Sequence, residues 1–344
     1  MKFSKTAAAM AAVALVAVSA CTTPTATTAP SAGGESSAPA GGALKITVLP
    51  KNLGNPYFET SNKGAEAAAG EIGATTELVG PAEAAADAQV QYIETATQQK
   101  VSAIALSAND QTALCDSVKA AQSAGVKVVT FDSDAPGCRD LFVNQATAEG
   151  IAKSLVEMAV DQSGGSGEIA VLSATANATN QNAWIEAMKA DLAANHADIK
   201  LVEVAYGDDQ DQKSFDETAS LLQKYPNLKV IVAPTTVGIA AAARYVSTSD
   251  AKGKVMVTGL GTPNDMRAYV KDGTVKEFAL WNPEDLGYLT VYAIKALADG
   301  TITGAEGDKF TAGKLGDYTV GADQTVLLGD PYKFNAENID NFNF

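Results

Sequence analysis

The chain has 344 residues, of which 46% are apolar, and carries a formal net charge of −15. That much apolar material fills two cores, and so acidic a surface repels nucleic acid and anionic lipid headgroups, excluding both as partners. A single histidine, His196, stands in Asn195-His196-Ala197-Asp198 near an expected helix end. His196 reads as a solvated cap residue, which speaks against histidine-based catalysis and histidine-rich metal sites, and neither a metal nor a cofactor is expected.

The chain opens with Lys2 and Lys5 ahead of an apolar stretch from Ala7 to Ala20 that ends in Val18-Ser19-Ala20-Cys21. The stretch is short for a bilayer span and ends in small residues, which reads as a signal peptide over 1–20 with a lipobox. Cys21 is then the lipidated residue, the alternative being an ordinary cleaved signal followed by a chance cysteine. Residues 22–43 hold one charge, Glu35, and no apolar side chain larger than alanine, so 21–43 reads as a lipidated cysteine and flexible tether. Such a coil reaches roughly 25 Å. The protein is therefore expected outside the cell, held to the membrane through a lipid anchor only.

From Leu44 onward short β-branched runs alternate with alanine-rich helical runs. Strands are predicted at 45–49, 75–79, 102–106, 127–131, 168–172, 201–205, 229–232 and 254–258, with helices such as 57–71, 87–99, 111–123 and 182–194 between them. This βαβα rhythm predicts an α/β chain of two doubly wound parallel-sheet lobes. The rhythm loosens around 141–150 and again after Trp281. We therefore expect an N-terminal lobe of 44–146 plus about 282–318 and a C-terminal lobe of 147–281 plus about 319–344, joined by a multi-strand hinge. Ligands of open parallel sheets sit beyond the carboxyl ends of the strands, which makes the polar residues after each strand the candidates.

After the first strand, Pro50-Lys51-Asn52-Leu53-Gly54-Asn55-Pro56-Tyr57-Phe58 puts an ammonium, amides and two aromatics on one turn. Lys51, Asn52 and Asn55 suit the hydroxyls of a polyol, and Phe58 or Tyr57 its C–H face. Asn55-Pro56 also reads as a helix N-cap with proline at N1, and one aromatic as core. After the fourth strand, Asp132 is assigned to ligand and Asp134 to the turn before Pro136-Gly137. Beyond 168–172, Asn180, Gln181 and Trp184 gather at a helix start, where one amide could cap and the indole could be core. Pro234 and Thr236 follow the strand at 229–232, and Trp281 is either a ring platform or a hinge-packing residue.

The acidic run Asp208-Asp209-Gln210-Asp211 lacks the glycine and terminal glutamate of a calcium loop and reads as a solvated loop, and Gly164-Gly165-Ser166-Gly167 precedes a strand and reads as a turn. If the third and fourth strands are neighbours, Cys115 and Cys138 fall at one sheet edge, and in an exported protein they are expected to pair. That link is worth roughly 3 kcal/mol in the chain-entropy model.

These segments, with Cys138-Arg139, Asn144-Gln145, Asn180-Gln181-Asn182-Ala183-Trp184, Gly259 to Asn264 and Gly273 to Phe278, resemble the rhamnose-binding and autoinducer-2-binding branch of ABC-transporter solute receptors, over about 44–344. The resemblance implies a type I periplasmic-binding fold with a three-stranded hinge that closes on its ligand. It also implies no enzymatic activity. In autoinducer-2 receptors the ligand is held by a lysine, an aspartate, an Asp-Gln pair and backbone at a Pro-x-Ala. Lys51, Asp132, Gln181 and Pro234 match that set, while Asn180 and Thr236 replace its second aspartate and its alanine. Losing a charged acceptor shifts the expected ligand from autoinducer-2, the alternative, to L-rhamnose. The implied partners are that sugar, an ABC permease with its ATPase, and no second copy of the chain, a monomer being expected.

Overall fold

The computed structural model describes residues 43–344; the expected signal peptide, lipidated Cys21 and all but the last residue of the tether lie outside the described residues. The first sheet is built from β1 (Lys45–Leu49), β2 (Thr75–Leu78), β3 (Ala103–Leu106), β4 (Lys127–Phe131) and β5 (Leu141–Asn144). A late strand, β13 (Thr325–Leu327), joins it at one edge, giving the order β13-β5-β4-β3-β1-β2. Every pairing in this sheet is parallel. Its central strands β3 and β4 are buried almost end to end, as strands covered on both faces must be.

The covering helices are α1 (Pro56–Ile72), α2 (Ala86–Gln98) and α3 (Cys115–Ser123). The second sheet, in the order β7-β6-β8-β9, contains β6 (Gly167–Ser173), β7 (Ile199–Tyr206), β8 (Leu228–Ala233) and β9 (Met256–Gly259), again all parallel. Around it run α4 (Ala148–Ser163), α5 (Thr179–Asn195), α6 (Asp211–Lys224), α7 (Thr236–Thr248) and α8 (Pro263–Lys271). An antiparallel pair, β10 (Glu277–Leu280) with β14 (Tyr332–Asn335), adjoins β9 through a bridge from Leu260 to Ala279. A further helix, α9 (Pro283–Ala298), returns to pack on α1, β4 and β5, and the small hairpin β11 (Lys309–Thr311) with β12 (Asp317–Thr319) follows it.

The predicted strands all form, with ends shifted by one or two residues. Two differences have clear causes. The helix expected from Gln111 begins at Cys115, because the Asp110 carboxylate accepts from the backbone N–H groups of Thr112 and Ala113 and holds that stretch in a turn. Part of the stretch 319–344 joins the first sheet instead of the second. Thr325–Leu327 pairs in parallel with Phe142–Asn144 of the first sheet, so the chain passes between the two halves at 145–147, 281–282 and 328–331.

Cys115 and Cys138 are joined, 23 residues apart in sequence. The link ties α3 to the loop that follows β4. Beside it the buried Arg139 guanidinium pairs with Asp134 at 3.0 Å and donates to the Gln324 side chain and the Asp323 carbonyl, fastening the approach to β13.

Helices α1 and α9 approach so closely that glycine is required at the crossing: a Cβ on Gly64 would stand 1.7 Å from the Glu284 carbonyl oxygen, and one on Gly287 would stand 1.9 Å from that of Ser61. Gly70, on the same helix, faces open space. Gly64→Ala should therefore lower the unfolding free energy by about 1–3 kcal/mol. Gly70→Ala should raise it by about 0.5–1 kcal/mol, both read by urea denaturation. Equal effects would contradict the close crossing.

Candidate functional site

In each sheet the strand order reverses about one strand: β1 lies between β2 and β3, and β6 lies between β7 and β8. Crevices at such switch points, beyond the carboxyl ends of the strands, are where open α/β sheets receive ligands. Lys51 follows β1 and Asn180 follows β6, and the Lys51 Nζ donates to the Asn180 Oδ1 at 2.8 Å. The two switch points thus face each other across one cleft.

Lys51 is 4% exposed and Asp132 5%. The Asn180 amide donates to the Asp132 Oδ2 at 3.1 Å, so ammonium, amide and carboxylate form one chain with members from both halves. Asn55 caps α1 by accepting from the Tyr57 N–H at 3.1 Å, with Pro56 at N1, which realises the capping reading of that turn. The same Oδ1 receives the Thr236 hydroxyl at 3.5 Å, a long contact between the halves. Gln181 accepts at its Oε1 from the Ser173 hydroxyl and the Ala174 N–H, which leaves its amide nitrogen as a donor. Pro234 and Thr236 line the wall at the start of α7.

The cleft also has an aromatic lining. Trp281 donates its indole N–H to the Tyr57 hydroxyl at 2.9 Å, and its ring meets those of Tyr57 and Trp184 edge-on at 6.1 Å. Phe58 packs against Tyr57 and Phe131. Trp281 is therefore both packing residue and cleft wall, and Trp184 and Phe58 line the cleft as well as the core. Leu260 and Leu280 complete the apolar side.

Ten of the eleven residues singled out for ligand binding share this cleft; Asn52 is buried beside Lys51 and does not line it. Asp134 serves its turn, bound to Thr130, the Ala135 N–H and Arg139. Asp209, assigned to a solvated loop, lies in the cleft wall and accepts from the Thr235 hydroxyl. It follows β7, so the rule that polar residues after strands face the ligand would have found it.

Behind the cleft, the fully buried Gln89 of α2 donates to the carbonyls of Pro50 and Ser107 and accepts from the Asn109 N–H. Asn109 in turn donates to the Lys51 carbonyl at 2.8 Å. The loops after β1 and β3 are thus bound together, which holds the Lys51 backbone in place.

Burial raises the Asp132 carboxyl to about 6, with the Asp209 charge adding to the rise and the Lys51 ammonium and the Asn180 and Ser107 hydrogen bonds opposing it. Burial also raises Asp209, against the Thr235 hydrogen bond and Lys51. Burial and the Asp132 charge push the Tyr57 hydroxyl well above its usual range. The N-termini of α1, α5 and α7 all open onto the cleft, and their positive ends favour the two carboxylates. Among the described residues no cluster of histidine, cysteine, aspartate or glutamate could hold a metal ion, and no helix is long and apolar enough to cross a membrane.

Residues 46–302 match the periplasmic binding protein domain family. The chain belongs to that family: it is a solute-binding protein and not an enzyme. The fold is that of the type I periplasmic binding proteins. A sugar ABC transporter structure from Actinomyces odontolyticus is 53% identical, with 88% of this chain and 98% of that one covered and a TM-score of 0.71. An ABC transporter solute-binding protein from Clostridium phytofermentas with bound L-rhamnose is 39% identical, with the same coverage and a TM-score of 0.85. LsrB from Clostridium saccharobutylicum in complex with AI-2 is 27% identical, covering 88% of this chain and 100% of that one, with a TM-score of 0.82.

The elevated Asp132 carboxyl has a consequence for this binding protein's stability. A folded-state value of about 6 against 3.8 means that the proton stabilises the fold below pH 3.8, and that this stability is lost as pH rises through 6. Asp132→Asn, neutral and isosteric, should gain on the wild type by up to about 3 kcal/mol between pH 4 and 7 in urea unfolding. A difference independent of pH would show that Asp132 is not a strained, buried charge.

Proposed function

We propose that this protein is the exported receptor of a sugar ABC importer, that it clasps L-rhamnose between its two lobes, and that it passes the sugar to a membrane permease driven by an ATPase. The observation that carries this reading is that one cleft is lined both by polar Lys51, Asp132, Asn180 and Gln181 and by apolar Trp184, Trp281, Leu260 and Leu280. A 6-deoxyhexose carries both kinds of group, hydroxyls for polar partners and a methyl group and C–H face for apolar ones. Lys51 and Gln181 donate to hydroxyl oxygens, and ionised Asp132 accepts from hydroxyls in charge-assisted bonds. The two indoles receive the methyl group, since aromatic rings favour apolar contact and polarised C–H bonds.

The bonds from Lys51 to Asn180 and from Asn180 to Asp132 join the two lobes, which marks the arrangement as closed. In support, the chain superposes better on the 39% identical L-rhamnose-bound relative, at 0.85, than on the 53% identical one, at 0.71. A ligand touching both lobes favours the closed state by its extra contacts there. Lipidation at Cys21, with the tether to 43, would keep such a receptor near its permease, and one copy suffices for delivery.

The second reading is an autoinducer-2 receptor, favoured by the shared positions Lys51, Asp132, Gln181 and Pro234 and by the AI-2-bound relative. Asn180 argues against it, because an amide replaces a charged acceptor. Isothermal calorimetry against L-rhamnose, L-fucose, D-ribose, D-galactose and autoinducer-2 separates the two. Heat should be largest with L-rhamnose, Asp132→Ala should weaken it at least tenfold with folding intact, and the affinity should fall as pH drops below about 6. No heat with L-rhamnose would contradict the reading.

A further inference from the structure

Two carboxylates enter the cleft, one from each half, and they are presented alike. Asp132 stands just after β4 with φ 62°, and Asp209 stands just after β7 with φ 53°, beside Asp208 at φ 56°. Left-handed backbone at non-glycine residues is uncommon and persists where the surroundings enforce it. Here they do. The Gly207 and Asp208 N–H groups donate to the Ser173 and Ala174 carbonyls, both at 2.9 Å, and the Gln210 N–H closes the turn onto Gly207. A Cβ at Gly207 would stand 2.1 Å from the Ser214 hydroxyl oxygen, so the loop is pressed between the end of β6 and the start of α6. The result aims the Asp209 carboxylate into the cleft, with the Thr235 hydroxyl donating to it.

The charges are unevenly matched. The Asp208 carboxylate is taken by Lys213, outside the cleft. Lys51 is the cation that acts on both cleft carboxylates, and the negative charge of Asp209 in turn bears on Asp132. One ammonium set against two carboxylates disfavours a sugar acid or a sugar phosphate, which would bring a further negative charge into a buried space. It suits an uncharged polyol, whose hydroxyls are donors to both carboxylates.

We propose that Asp209 is a ligand-contacting acceptor that grips one hydroxyl of an uncharged sugar from the second half, opposite Asp132, and so sets specificity for the sugar's hydroxyl pattern. This rests on the sugar-receptor reading above. The direct contact makes Asp209 different from a residue that only shapes its loop.

The test is calorimetry of wild type, Asp209→Asn and Asp208→Asn with L-rhamnose and its 2-, 3- and 4-deoxy analogues. Asp209→Asn should weaken L-rhamnose roughly tenfold to a hundredfold. Asp208→Asn should stay within about threefold, because its carboxylate faces Lys213 rather than the cleft. One deoxy analogue should lose affinity in the wild type and lose almost nothing more in Asp209→Asn, since sugar and protein would have lost the same bond. Equal added losses for all three analogues would assign Asp209 a structural role and overturn the proposal. So would an unchanged affinity in Asp209→Asn, or an equal loss in Asp208→Asn. No binding of L-rhamnose by the wild type would remove the sugar reading and this inference together, whereas wild-type binding with either of the preceding results removes the inference alone.

Discussion

A buried ammonium between two sheets is the constraint on which the cleft depends. Lys51 has lost nearly all of its water, and a desolvated charge is tolerated only where hydrogen bonds and opposite charge replace that water. Its hydrogen bond is made to Asn180, which belongs to the other half, and its counter-charges, Asp132 and Asp209, come one from each half. Neither half satisfies Lys51 alone. Opening the cleft therefore separates partners, and a solute with hydroxyls in the right places can take over their bonds. A clasp of this kind couples closure to binding through the same few atoms.

The fold puts those atoms together by topology more than by local sequence. Two parallel sheets, each reversing its strand order about its β1 or β6 strand, bring two switch-point loops face to face. Three helix N-termini then point into the gap and offset part of the cost of two carboxylates. Support comes from behind: Gln89 and Asn109 bind the loop that carries Lys51, while the Cys115–Cys138 link and Arg139 hold the segment just after Asp132. Tyr57 and Trp281 share a hydrogen bond across the chain passage near 281–282, so the apolar wall is fastened to the hinge itself.

Much of this was legible in the sequence, for identifiable reasons. Strands such as Ala103–Leu106 and Lys127–Phe131 are buried on both faces and announce themselves as short β-branched or apolar runs. Lys51, Asp132 and Asn180 are legible as candidates because they follow such strands, and they share one cleft. Asp209 follows one too, but its acidic run reads as a solvated loop until the Thr235 hydroxyl, from another loop, is seen to meet it. The three-residue β13 carries too little pattern to place: its parallel pairing with β5 is a long-range contact that no local signal encodes. Asn52 follows the same strand as Lys51, yet it is buried without lining the cleft.

The most direct test of the central claim is a crystal structure of the protein grown with L-rhamnose. One sugar is expected between the lobes, its hydroxyls bonded to Lys51 and Asp132 of one half and to Asn180 or Gln181 of the other, and its methyl group against Trp184 or Trp281. A sugar held by one half alone, or lying outside this cleft, would contradict it.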